Sequence, residues 1–263
     1  MISAETKFLT EIIADNFWKD GRVDLEAVCA DEGLDILLDD YKHHFDGMLV
    51  WDGREFNIHL NTTKGNTPTS NRGRFTLAHE LGHYFIESHR EGIRVGSIPL
   101  HSSHSGLVHS DLLESQADAF AANLLLPAAK LRNLTAKRPF SLNIIREISE
   151  KFGVSLTAAA LRFATVGTHE IMIVFSEDGK VKWSVRSHDF PKLANKFRIG
   201  GALPPTTVAN QFFLNPGLEA SQPEQLDFEE WFENRGWDPR RNFYEQCFYS
   251  DIYNYAISLL WFK

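Results

Sequence analysis

The sequence predicts an α+β fold, with helices and a small antiparallel sheet in a first domain and a smaller α+β module at the C-terminus. Three observations carry that reading. Strand-like runs between residues 34 and 60 are punctuated by Asp52-Gly53, a hairpin dipeptide. Two amphipathic helix patterns follow, one near 71–89 and one from Asp111 to Pro127. Beyond Thr165 the periodicity returns to strands, with Glu177-Asp178-Gly179 as a second hairpin signal. The implied domains are 1–165 and 166–263.

Phe8, Ile12, Ile13 and Phe17 recur at helical spacing beside Glu5 and Lys7, which predicts an amphipathic helix over 3–18 rather than a signal peptide. A short helix is expected over 24–31, then strands at 34–38, 47–51 and 54–60. Residues 90–110 carry no convincing helix or strand, and Ser, Gly and three histidines crowd their second half. A loop of that length beside a chemical site reads as a lid or substrate wall. With 263 residues, 43% hydrophobic and 24% charged, the chain can bury a sizeable core. Its net charge of -8 argues against a broad grip on nucleic acid. Cys29 and Cys247 match no metal or redox spacing, so reduced thiols in a cytoplasm are expected. No run approaches the roughly 20 apolar residues of a membrane span.

The chemistry concentrates in His79-Glu80-Leu81-Gly82-His83. At about 100° per residue, positions four apart return to within about 40° of each other, so both imidazoles leave one helix face and can grip one ion. Glu80 sits a quarter turn away, where it suits a general base acting on water beside zinc (Zn2+). The alternative is two helical histidines beside a salt-bridging glutamate. Against it, Glu80 is the only acidic residue and no Lys or Arg occurs between Phe75 and Ile86, so the helix reads as buried almost all round. Unpaired histidines and a carboxylate are expensive there, and a metal resolves the expense. Gly82 in mid-helix costs about 1 kcal/mol against alanine, which makes sense if something must approach the helix closely at that point.

A zinc site needs a third protein ligand. His89 follows His79 by ten residues, a spacing that works when a glycine breaks the helix seven residues after the first histidine. Here that position is Ile86. On an unbroken helix His89 would lie about 9 Å past His83 and on another face, so it reads as a surface histidine. Glu114 is the second candidate, on a helix whose apolar stripe is Leu113, Ala117, Phe120, Ala121, Leu124 and Leu125, capped by Ser110 or Asp111 and stopped by Pro127. Glu114 and Asp118 share a face, so Glu114 can bind the metal while Asp118 accepts a hydrogen bond from the outer nitrogen of a ligating histidine. Asp111 and Glu114 also fit a capping-box-like pattern, and the helix dipole favours acids in a first turn whatever they do.

Two blocks, Arg74-Phe-Thr-Leu-Ala-His79-Glu80-Leu-Gly-His83-Tyr and Glu114 to Ala117 with Phe120-Ala-Ala and Leu124-Leu-Leu-Pro127, resemble the ImmA/IrrE family of zinc metallopeptidases. The resemblance covers roughly residues 30–165. It implies a zincin-like domain, zinc ligands at His79, His83 and Glu114, and Glu80 as catalytic acid and base. It also implies an endopeptidase whose substrate is one intracellular regulatory protein, often a transcriptional repressor linked to stress response or mobile DNA. In a zincin-like site a substrate strand pairs with an exposed sheet edge and lies across the metal. For the oxyanion, His101, His104 or His109 is a candidate donor, with Tyr41 and Tyr84 behind them.

Residues 141–163 resemble a helix-turn-helix around Phe152-Gly153-Val154-Ser155. The second helix offers Thr157, Ala158, Ala159, Ala160 and Arg162, too few groups to read bases or hold phosphates. Packing against the metal domain is therefore expected, and no direct nucleic-acid binding. Strands are expected at 171–175 and 180–186, an irregular stretch over 187–241, and one or two closing strands over 243–262. Within the irregular part, Asp227-Phe-Glu-Glu-Trp-Phe-Glu233 reads as a short helix packing its aromatics, or as a partner-binding face. Two rival functions remain at this level: a non-catalytic regulatory protein with the metal as scaffold, and a DNA-binding regulator using 141–163.

Overall fold

In the computed structural model, which describes residues 2–98, 111–215, 217, 221–237 and 240–263, the chain divides into two units. One comprises Met1–Leu134 with Arg146–Ala159, the other Thr135–Ile145 with Ala160–Lys263. The first begins at α1 (Ala4–Asn16), capped by Ser3, whose hydroxyl accepts from the Thr6 amide. Its buried face is Thr10, Ile13 and Ala14, whereas Phe8 is 63% exposed and Ile12 41%. The apolar spacing thus indicates the helix and misplaces half of its inner face.

A two-residue ribbon, β1 (Trp18–Lys19) with β2 (Arg22–Val23), turns through Asp20-Gly21 at φ 51° and 87°. Positive φ at both positions is the type I′ geometry that an Asp-Gly pair supports. After α2 (Leu25–Asp31), capped by Asp24, come β3 (Asp35–Asp39), β4 (Gly47–Trp51) and β5 (Phe56–Asn61) in the order β3-β5-β4. The β4–β5 pair is the antiparallel hairpin that Asp52-Gly53 announces, but β3 and β5 pair in parallel. The sheet is therefore mixed rather than antiparallel. Residues 40–46 carry the chain past the central position, and β5 then folds back into it beside β3.

On this sheet lies α3 (Asn71–Phe85), capped by Ser70 and packed on β4 and β5. It ends at Ile86, and a separate helix α4 (Glu87–Arg94) follows. Across α3 runs α5 (Leu112–Leu125), whose Asp111 cap accepts from the Leu113 amide. Ala117, Phe120, Ala121, Leu124 and Leu125 are buried on it as the stripe predicts, with Glu114 among them instead of Leu113. Next come α6 (Ala128–Thr135), α7 (Leu142–Phe152) and α8 (Leu156–Val166). Between the last two, Gly153 takes the left-handed conformation at φ 66° and the Val154 amide donates back to the Ser149 carbonyl. That turn packs on the start of α3: Asn71 Nδ2 donates to the Val154 carbonyl at 3.0 Å, and a Cβ on Gly153 would come within 2.9 Å of Arg74 Nε.

The second unit contains an all-antiparallel sheet in the order β7-β6-β10-β9-β8. Its strands are β6 (Ile171–Glu177), β7 (Lys180–Arg186), β8 (Glu224–Leu226), β9 (Phe243–Ser250) and β10 (Tyr255–Phe262). Asp178-Gly179, at φ 51° and 70°, makes the β6–β7 turn. The stretch read as irregular holds α9 (Val208–Leu214), capped by Thr207, and a 3-10 turn at Phe228–Glu230. Phe228, Trp231 and Phe232 are buried in a core with Phe212, Phe243 and Cys247, as expected of aromatics packed by a short helix.

Glu245 is buried in that core with four donors on one carboxylate. Val208 N–H and Trp231 Nε1–H reach Oε2 at 2.9 Å, while the Ala209 amide at 3.0 Å and the Cys247 thiol at 3.1 Å reach Oε1. Burial raises the Glu245 pKa above the ordinary range, and these donors pull against it. Because every neighbour donates, Glu245→Gln turns an amide NH2 onto two donors. Denaturant unfolding should show a loss of about 3 kcal/mol. Wild-type stability in that variant would mean that the carboxylate contributes nothing to the sheet.

Candidate metal centre

The site begins with two glycines whose missing side chains let neighbouring groups come close. A Cβ on Gly82 would come within 3.1 Å of Ala117 Cα and 3.2 Å of Phe120 Cβ, so a side chain there would push α5 off α3. This is the close approach that a mid-helix glycine implies. With the helices seated at Gly82 and Ala117, Glu114 lies one turn before the contact on α5 and Asp118 just after it. On the other side of α3, a Cβ on Gly47 of β4 would come within 2.8 Å of Glu80 Oε1. Gly82→Val should therefore lower unfolding stability by about 1–3 kcal/mol through overpacking and weaken metal uptake with it. Calorimetry and metal analysis on one preparation check both, and a stable variant with full metal content would show that the crossing is not set there.

The crossing brings His79 Nε2, His83 Nε2 and the two Glu114 oxygens together. The imidazole nitrogens are 3.1 Å apart, with Glu114 Oε2 3.2 Å from His79 and Oε1 3.2 Å from His83. Among the described residues this is the one group of three or more His, Cys, Asp and Glu side chains that can hold a metal ion, and all three are buried. A tetrahedral ion with bonds of about 2.0–2.1 Å holds its ligands about 3.3 Å apart, close to the spacing present. Behind the first histidine, His79 Nδ1 lies 2.9 Å from Asp118 Oδ1. Glu80 is 1% exposed, and its Oε1 makes no hydrogen bond. Burial acts to lower the His79 pKa, but hydrogen bonds to Asp118 and Glu114 and the Glu80 charge overcome it and raise it to about 10. The pocket is thus built to hold positive charge. Two imidazoles and a carboxylate so arranged fit a divalent cation, and the orphaned Glu80 oxygen fits a proton acceptor beside it.

The family model of the IrrE N-terminal-like domain, peptidase family M78, matches residues 33–164. The chain belongs to this family. No curated protein matches it. Among solved structures, a Mycobacterium tuberculosis transcriptional regulator shares the fold with a TM-score of 0.61 at 14% identity, over 98% of this chain and 76% of that one.

Within the M78 domain the other candidates fall out as follows. His101, His104 and His109 lie outside the described residues. Tyr41 Oη sits 2.7 Å from His59 Nδ1. His59 is opposite Met48 in the β4–β5 ladder, one residue out of phase with Gly47, so the pair belongs to the sheet face turned away from α3. Tyr84 donates to Glu32 Oε2 at 3.2 Å. Neither tyrosine is placed beside the group of His79, His83 and Glu114 by these contacts. His89 differs most from expectation: it is fully buried, not a surface residue. The helix does break after His83, because Ile86 adopts φ -78°, ψ 104°. That is extended backbone, which a β-branched residue takes readily, so no glycine is required. The chain then restarts as α4 and turns His89 back until its Nδ1 is 3.2 Å from His83 Nδ1.

Proposed function

We propose that this M78 protein is a zinc-dependent, zincin-like endopeptidase acting on a specific intracellular regulatory protein, of the class of transcriptional repressors. The observation that carries the reading is the buried triangle of His79, His83 and Glu114 with Glu80, whose Oε1 is orphaned, on the next helical position. Bound there, zinc supplies Lewis acidity, which makes water a nucleophile near neutral pH and polarises the scissile carbonyl. Glu80 takes the proton of the attacking water and delivers it to the departing amine. Asp118 holds the His79 ring by accepting from Nδ1, which keeps the Nε2 lone pair on the metal side. β4 is an edge strand with Gly47 against Glu80, so an extended substrate can pair along that edge and lie over the reacting groups.

Cys29 and Cys247, both free and buried, support a cytoplasmic setting. No described helix is long and apolar enough to cross a membrane. The fold shared with a transcriptional regulator favours a second reading, in which the chain regulates transcription and the metal is scaffold. One experiment separates them. Zinc-loaded protein is incubated with a purified candidate repressor from the same organism, with and without a chelator, and the products are read by mass spectrometry. A single chelator-sensitive cut supports the peptidase. An intact repressor bound by a zinc-loaded chain supports the regulator.

A further inference from the structure

Each histidine of the triangle has a partner on its outer nitrogen, and the two partners differ. His79 uses Asp118. Beyond His83 there is a longer chain, in which His83 Nδ1 is 3.2 Å from His89 Nδ1 and His89 Nε2 is 2.9 Å from Gln116 Oε1. The rings of His83 and His89 are 5.1 Å apart, and His89 is fully buried. Gln116 Oε1 only accepts, so His89 Nε2 donates to it, and when the ring is neutral its Nδ1 carries a lone pair. That lone pair accepts from His83 Nδ1–H, and Nε2 of His83 is left as a lone pair on the metal side. The tautomer of the second ligand is thus set two residues away, from α5, two positions beyond Glu114.

The geometry points to His89 and Gln116 as positioning residues that lock the tautomer and ring orientation of His83 for metal binding, a role that rests on the zinc-site reading above. Neither residue belongs to the group that would hold the ion. The break at Ile86 acquires a purpose in this arrangement, since without it His89 could not return to His83.

Zinc affinity, measured by competition with a chromophoric chelator on the full chain, tests the relay. His89→Phe keeps a ring in the pocket and removes the acceptor, and affinity should fall about tenfold to hundredfold. His89→Asn places an amide oxygen near the lost Nδ1 and should recover most of that loss, which a packing role would not predict. Should His89→Phe fail to fold, Gln116→Leu leaves His89 in place, and its reduced affinity should be rescued by Gln116→Glu. Equal losses in His89→Phe and His89→Asn, or wild-type affinity in either His89→Phe or Gln116→Leu, would overturn the relay and leave the zinc site standing. A folded wild type that takes up no zinc would overturn both.

Discussion

Glu80→Gln is expected to keep its zinc and lose cleavage, with turnover down by about 10²–10⁴-fold, the range that a positioned general acid and base supplies. The substitution preserves size, so the packing against Gly47 survives. It removes the carboxylate charge beside His79 and, with it, the capacity to take a proton. Because Glu80 Oε1 is buried without a hydrogen bond, exchanging it for a neutral amide should not lower stability, and a dead variant cannot then be explained by unfolding. The comparison pairs zinc per chain with cleavage of the same repressor under identical conditions. Hydrolysis that persists in Glu80→Gln would take Glu80 out of the mechanism.

Glu114→Ala should empty the site. Two imidazoles alone bind a divalent cation weakly, and Glu114 brings an oxygen to 3.2 Å from each of them. Elemental analysis after dialysis should find about one zinc per wild-type chain and little in the variant. Asp111→Ala is the informative control, since Asp111 caps the same helix through the Leu113 amide. Losing the cap should cost about 1 kcal/mol of stability and leave zinc in place. If the two variants instead lose stability alike and both keep zinc, the acid at Glu114 serves the helix end and the metal reading fails. Asp118→Ala should fall between, with affinity reduced about tenfold to hundredfold through a loosened His79.

What was legible in the chain is what local periodicity encodes. The i, i+4 spacing of His79 and His83 places both rings on one face in any helix, and the two are indeed buried side by side. Gly82 signalled a close approach because a mid-helix glycine is costly without one, and the structure shows that Ala117 and Phe120 of α5 occupy the space it leaves. Asp-Gly pairs marked the β4–β5 and β6–β7 hairpins, since only such residues accept positive φ cheaply. Asp20-Gly21 carries the same signal, but its strands are only two residues long and leave no alternating pattern beside it. α9 was missed for a similar reason: seven residues are too few for a helical period to stand out, although Thr207 before Val208 is a capping signal.

By itself, then, the sequence determined the pair of histidines, the acid beside them, the second helix with Glu114 and Asp118 on one face, and the family to which these belong. Tertiary structure alone decided that Glu114 reaches both imidazoles, because that distance depends on where α5 crosses α3. It also decided the parallel β3–β5 pairing, the exposure of Phe8, and the return of His89 to His83. The physical reason is common to all of them. Periodicity states which residues share a face of one element, while the neighbour that face meets is chosen by packing between segments distant in sequence. An allowed extended residue such as Ile86 can redirect the chain there without leaving a local mark.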